Sequence, residues 1–240
     1  MMIRRFCFIV VLLMGVISYQ CEKKESEKLI TDSGTFTDPR DGQQYEWVQI
    51  GGQVWMAENL NYDQDSYGND WYYGNDTSLG DVYGRLYDWP AVMQGAGSSN
   101  NNPSGIQGVC PDGWHVPSDE EWKELEIQLG MSSFQADALH GRGSNEGSKL
   151  AGQAELWKDG DLENNKAFGA SGFRALPGGD FDHNGDFESM GSSCNFYSST
   201  EHPEYSGSCW HRSITHSSSK IQRAVLGKDI GFSVRCVKDD

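Results

Sequence analysis

One segment of this chain carries a complete helix signature. Ser118 followed by Glu121 makes a capping box, Trp122, Leu125 and Leu129 recur at helical spacing, and Gly130 ends the run, so a helix is predicted over 118–129. Around it the periodicity is cut short by 29 glycines among 240 residues and by clusters of Ser, Asn and Asp. The class expected is α+β, with short twisted antiparallel strands, one or two main helices and long loops. The absence of a fixed-period repeat excludes solenoids and propellers.

The strongest hairpin signal joins 43–50 to 53–60 across Gly51-Gly52, with Tyr45, Trp47, Val54 and Met56 on one buried face. A short strand at 34–38 stops at Pro39. The stretch 61–83, rich in Asn, Asp, Gly and Tyr, reads as a long irregular loop. Short helices are predicted at 86–93, 134–140 and 147–153, and short strands at 173–176, 195–200, 210–215, 221–226 and 232–237. In the last of these Phe232, Val234 and Cys236 share a face, and Trp114 and Trp122 are assigned to the core.

Composition narrows function by exclusion. Nineteen basic against 35 acidic residues give a net charge of −16, a field that repels phosphate backbones, so no nucleic acid partner is expected. Eight Trp, ten Tyr and ten Phe are too much apolar surface for a disordered acidic chain. No apolar run is long enough for a polytopic membrane protein.

Arg4 and Arg5 precede an apolar stretch over 6–17, then Ser18-Tyr19-Gln20-Cys21 and a charged run. This is the layout of a signal peptide, expected over 1–20. A cysteine at this place resembles the lipobox of bacterial lipoproteins, although Ser18 and Gln20 stand where that pattern usually has Leu and a small residue. The resemblance implies acylation of Cys21, a lipidated tether over 21–33 and a folded domain over 34–240. The alternatives are a secreted protein cleaved nearby and an uncleaved signal anchor.

Of six cysteines, Cys7 lies in the signal and Cys21 is the expected anchor, leaving Cys110, Cys194, Cys209 and Cys236. An even remainder suits an oxidising compartment. Three connectivities are open. The short separation of Cys194 and Cys209 suits a local closure, with Cys110 to Cys236 spanning the C-terminal half, and this nested pairing is favoured. Zinc at Cys209 with His211, or at Cys110 with His115, lacks the close cysteine spacing of a structural module.

Two stretches carry candidate binding chemistry. Asp180, Asp182, Asn184, Asp186 and Glu188 place oxygen donors at alternating positions around Gly185, like the opening of a calcium loop, but Gly191 stands where a bidentate Glu belongs. A hairpin turn is the favoured reading and calcium the alternative; no other cofactor is expected. In the aromatic loop, Tyr67, Trp71, Tyr72 and Tyr73 are candidates for stacking sugar rings, the alternative being that they cover the sheet. Signals for catalysis are thin. Cys209 and His211 put a thiol near a base, and Asp119, Glu120 and Glu121 fit a helix N-terminus without further role. No enzyme is expected.

The segments Trp55-Met56-Ala57-Glu58-Asn59-Leu60, Tyr83-Gly84-Arg85-Leu86-Tyr87-Asp88-Trp89, residues 110–121 and Gly231-Phe232-Ser233-Val234-Arg235-Cys236-Val237 follow in fixed order, with Tyr197-Ser198-Ser199-Thr200-Glu201 between the last two. Together they resemble the Fibrobacter succinogenes major paralogous domain, from about Phe36 to Lys238. That family consists mostly of bacterial surface or secreted proteins, often lipoproteins, and its motifs are similar to those of C-type-lectin-like domains, a fold shared with formylglycine-generating enzymes. The resemblance implies a C-type-lectin-like domain whose first helix lies beside its last strand, the geometry a Cys110–Cys236 bridge needs. It also implies a further cysteine pair near the aromatic loop, which this chain lacks. Formylglycine-generating enzymes use two nearby cysteines where only Cys209 stands here. The expectation is an outer-membrane lipoprotein, surface-exposed and anchored to the membrane by lipid, that binds a glycan or protein. A structural envelope lipoprotein held by protein contacts alone is the alternative.

Overall fold

The computed structural model describes residues 29–205 and 207–239. The expected signal peptide, Cys7 and Cys21 lie outside the described residues. Three strands open the chain: β1 (Ile30–Thr37), β2 (Gln44–Ile50) and β3 (Gln53–Met56). β1 begins earlier than predicted, pairing Ile30 with Ile50 and Ser33 with Val48, so the end of the expected tether belongs to the sheet. The Gly51-Gly52 turn is as predicted, with Ile50 opposite Gln53. Gly51 has φ of 60°, the left-handed region that favours glycine.

The aromatic loop holds β4 (Asp70–Trp71) and one turn of helix, α1 (Gly80–Tyr83). The predicted helix at 86–93 is instead β5 (Leu86–Tyr87) followed by α2 (Trp89–Met93), because the Asp88 side chain accepts from Ala91 N–H and starts the helix there. Then come β6 (Trp114–His115), α3 (Asp119–Gln128), α4 (Ser133–Asp137), β7 (His140–Arg142) and α5 (Glu146–Leu150). The capping box on α3 is present in both directions, Ser118 to Glu121 and back.

The remaining strands are β8 (Asp180–Phe181), β9 (Phe187–Glu188), β10 (Ser193–Glu201), β11 (Ser208–Thr215), β12 (Ile221–Gly227) and β13 (Val237–Lys238). The class is α+β, mostly sheet with short helices. One sheet runs β1-β2-β3-β13-β6 and a second β10-β11-β12-β7, with two ribbons, β4-β5 and β8-β9. Residues 173–176 form no strand; Ala175 makes only an isolated bridge to Ala151.

Two apolar clusters lie on opposite faces of the first sheet. Val48, Ile50 and Trp55 join Trp122, Leu125 and Leu129 of α3 with Phe173 and Phe196 in one. Tyr45 and Met56 join Trp114, Phe232, Val234 and Cys236 in the other, with Trp47 and Val54 packed against it. The hairpin is therefore buried on both faces, where the sequence pattern indicated one. Burial on both sides draws polar groups inward too. Arg235, alternating with Val234 and Cys236, is fully buried and donates to the carbonyls of Met56 and Phe173 and to Asn59 Oδ1; burial lowers its pKa to about 9.

Cys110 and Cys236 form a disulfide inside the second cluster, with Cα atoms 5.9 Å apart. Cys194 and Cys209 are free and buried, which corrects the second half of the nested pairing. The reason is register. Cys194 faces Ile214 and Cys209 faces Glu201, so the two lie near opposite ends of the β10–β11 pair. At ~3.3 Å per strand residue that is roughly 20 Å, against the ~7 Å a bridge allows.

The carboxylates at the start of α3 also do more than complement its dipole. Asp119 is buried and accepts from Arg212 Nη1 at 2.7 Å and Arg223 Nη2 at 2.6 Å, while Glu126 accepts from Arg212 Nε at 2.6 Å and pairs with Arg142. This network welds the inner face of α3 to the second sheet.

Candidate functional site

The aromatic loop is fastened by charge. Arg85, just before β5, pairs with Asp70 and, at 2.6 Å, with Asp63, and its guanidinium lies 4.0 Å from the centre of the Tyr72 ring. Asp88 accepts from the main-chain and side-chain N–H groups of Asn69 at 3.0 and 2.8 Å while it caps α2. Thus β4 is held beside β5, with Trp71 opposite Leu86.

This placement aims Trp71 at a second loop. Its ring stacks on Phe181 of β8 at 4.1 Å, Phe181 meets Phe187 of β9 at 4.9 Å, and Phe187 meets Tyr73 at 5.3 Å. Phe181 and Gly231 exchange both main-chain hydrogen bonds, and a Cβ at Gly231 would sit 2.9 Å from Phe181 Cβ and 3.0 Å from the Trp71 ring, so a larger residue there would push the two rings aside. Four half-buried rings from two loops thus form a continuous aromatic ridge.

Of the sequence candidates, Trp71 and Tyr73 belong to the ridge. Tyr72 turns aside onto Arg85, and Tyr67 lies near Gly95 with 49% exposure. Sequence reasoning missed Phe181 and Phe187, although the two aromatics bracketing the Asp182–Asp186 turn were a readable signal.

The acidic run forms the β8–β9 hairpin at one end of the ridge. Asp182 Oδ1 accepts from the N–H groups of Asn184 and Asp186, both at 2.9 Å, and Oδ2 accepts from Asn184 Nδ2 at 2.7 Å. These bonds, led by that from Asp186, lower the Asp182 pKa. Asp180 is half-buried, and burial raises its pKa. Asp180, Asp182, Asn184, Asp186 and Glu188 thus lie on or beside the turn of the β8–β9 hairpin, the favoured sequence reading of this stretch, with Asp182 bonded to the N–H groups of that turn.

The thiol and base of β11 are both on the buried side. Burial pushes the Cys209 thiol well above its ordinary range and, with Arg212 nearby, drops His211 to about 4. At neutral pH the pair is a thiol and a neutral imidazole, so it supplies neither a thiolate nor an imidazolium. Cys194, buried on β10, is pushed up to about 12.

His115, on β6, is a second polar centre. Its Nδ1 lies 2.7 Å from Asp239 Oδ1 and its Nε2 2.6 Å from Glu121 Oε1. Burial opposes the charge on this ring, but Glu121 and then Asp239 outweigh it and raise the pKa. Both ring nitrogens face carboxylates, an arrangement only the doubly protonated ring satisfies. The group works as a clasp between α3 and the chain after β13.

Among the described residues no helix is long and apolar enough to cross a membrane. Comparison with known proteins adds one positive finding: the family model described as the Fibrobacter succinogenes major domain matches residues 48–238. No curated protein and no solved structure matches the chain.

Proposed function

This chain belongs to the Fibrobacter succinogenes major domain family, and we propose that it is a lipid-anchored protein of the bacterial outer membrane, displayed at the surface, whose domain binds a glycan or protein through the aromatic ridge. The observation that carries this reading is the Trp71–Phe181 stack, which holds large, partly exposed rings of two loops together beside an acidic turn. Clustered aromatic surface of this kind marks contact sites, and ring faces with nearby amides and carboxylates suit sugars. The Cys110–Cys236 bridge favours a C-type-lectin-like arrangement, since it ties the segment before α3 to the segment before β13. The anchor rests on Cys21 behind its apolar stretch. The inert Cys209–His211 pair supports a binding role over an enzymatic one.

The test is a glycan array and a pull-down from envelope extracts, run with wild type and Trp71→Ala, together with fatty-acid labelling of wild type and Cys21→Ala. Binding that falls at least about tenfold in Trp71→Ala, with labelling lost in Cys21→Ala, is expected. Ligand binding indifferent to Trp71 would overturn the ridge as the site, and unchanged labelling would overturn the anchor.

A further inference from the structure

The second sheet carries polar side chains that the fold buries without using. Cys194, Phe196 and Ile214 point into the cluster around Trp122, so Ser193 and Asn195 of β10, opposite Thr215 and Ser213 of β11, belong to the other face. Further along that face Tyr197 and His211 are covered by the Phe232 ring, at 4.7 and 5.3 Å. At Ser193, Asn195 and Ser213 an open cleft of about 370 Å³ takes the place of such a cover, and its lining adds Asp180 of β8, Ser189 and His216. That volume is within the ~300 to 1,000 Å³ of small-ligand sites.

Ser193, Asn195 and Ser213 are only 8, 7 and 9% exposed. Among the described residues their two hydroxyls and the amide have no hydrogen-bond partner, yet they are not among the polar atoms sealed from solvent in that condition, which are Asn61 Oδ1, Arg85 Nε, Glu163 Oε2 and His211 Nδ1. Their polar heads therefore open into the cleft. Buried side chains with unused donors and acceptors are rare, and water held by such groups is displaced without loss by a ligand group that reproduces its bonds. Charge selects the ligand. The lining holds one carboxylate, Asp180, and no Lys or Arg, in a chain at −16, so an anion finds no adequate countercharge. Burial disfavours the charge on Asp180, which makes it a poor anchor for a cation. Hydroxyls and an amide both donate and accept, as the hydroxyls of a neutral sugar do.

We propose that this cleft binds one neutral hexose unit of a glycan, with Asn195 bonding adjacent ring hydroxyls through Oδ1 and Nδ2, Ser193 and Ser213 bonding their neighbours, and Asp180 accepting from a further hydroxyl. None of the four ridge rings lines the cleft, so the site does not rest on the ridge as the contact surface. Heteronuclear NMR on the full-length chain, in a detergent without a sugar headgroup, tests it with glucose, galactose and mannose as neutral probes and glucosamine and glucose 6-phosphate as charged ones. At least one neutral hexose should bind saturably and move the Asn195 side-chain amide resonance, which is identified by its loss in Asn195→Leu. Neither charged probe should bind more tightly than that hexose. Asn195→Leu should weaken the hexose about tenfold without lowering the melting temperature, since the amide makes no hydrogen bond among the described residues. If the Leu variant melts early, Ser213→Val removes a hydroxyl, keeps a strand-forming residue and should weaken the hexose about threefold or more. The Trp71 indole resonance, identified by its loss in Trp71→Phe, should not move, which separates the cleft from the ridge. The proposal is overturned if none of the three hexoses binds saturably, or if binding shifts the Trp71 indole and leaves the Asn195 amide in place. A charged probe that binds more tightly than every neutral one, or folded Asn195 and Ser213 variants with wild-type affinity, would overturn it equally.

Discussion

Removing the Cys110–Cys236 bridge, by reduction or by the double change Cys110→Ala and Cys236→Ala, should loosen the whole domain. The two residues are 126 apart in sequence, and chain-entropy closure of a loop that long restricts the unfolded chain by about 5 kcal/mol at 25 °C. That is a third or more of the ~5 to 15 kcal/mol that holds an ordinary domain together. With a urea slope of roughly 2 to 3 kcal/mol/M, the midpoint should fall by about 2 M. Tryptophan fluorescence reads the transition, because Trp55, Trp114 and Trp122 are all buried. Peptide-resolved alkylation in denaturant without reductant should label Cys194 and Cys209 and spare Cys110 and Cys236. Without denaturant, none of the four should react, since both free thiols are buried with raised pKa values. A midpoint shift under about 0.5 M would refute the closure argument. Recovery of a peptide linking Cys194 to Cys209 would refute the register that separates them.

Asp119→Ala leaves Arg212 and Arg223 without the carboxylate that lies between them and should destabilise the domain by about 3 to 5 kcal/mol in denaturant unfolding, whereas a loss below ~1 kcal/mol would show the network to be dispensable. His115 has its pKa raised by folding, so its contribution is complete below the ordinary imidazole value of about 6.5 and is lost as pH climbs through the folded value. Wild type should therefore lose more stability than His115→Gln between about pH 6 and pH 9, and parallel curves would exclude the charged clasp.

The elements legible in the sequence are those whose instructions are local. The α3 capping box lies within four residues, and the β2–β3 turn within two, so both could be placed at once. Asp119 shows where local reading stops: at a helix N-terminus it has a sufficient role in the dipole, and nothing nearby announces Arg212 and Arg223, which lie 93 and 104 residues further on. The cysteines fail for a related reason. Separation along the chain cannot report register, and a hairpin brings together only residues equidistant from its turn. Cys194 and Cys209 belong to one hairpin yet never meet. The site follows the same division. Trp71 and Tyr73 could be picked out as aromatics in a polar loop, while their partners Phe181 and Phe187 are brought to them by Gly231 and the β8–β9 hairpin.

The fastening of the aromatic loop bears on what that ridge can do. A loop without a cysteine staple need not be slack when its anchors are buried, and the two carboxylates on Arg85 differ in this respect. The Asp70 side chain is 4% exposed and that of Asp63 is 74% exposed, so salt screens the second contact and hardly touches the first. Asp70 is also the residue immediately before Trp71, opposite Tyr87 in the β4–β5 pair. The bond least open to solvent is therefore the one that sets the Trp71 backbone. Ring positions on the ridge are fixed from beneath, by Asp70, Asp88 and Gly231, and a ligand meeting the ridge encounters groups already ordered, which lowers the entropy it must overcome.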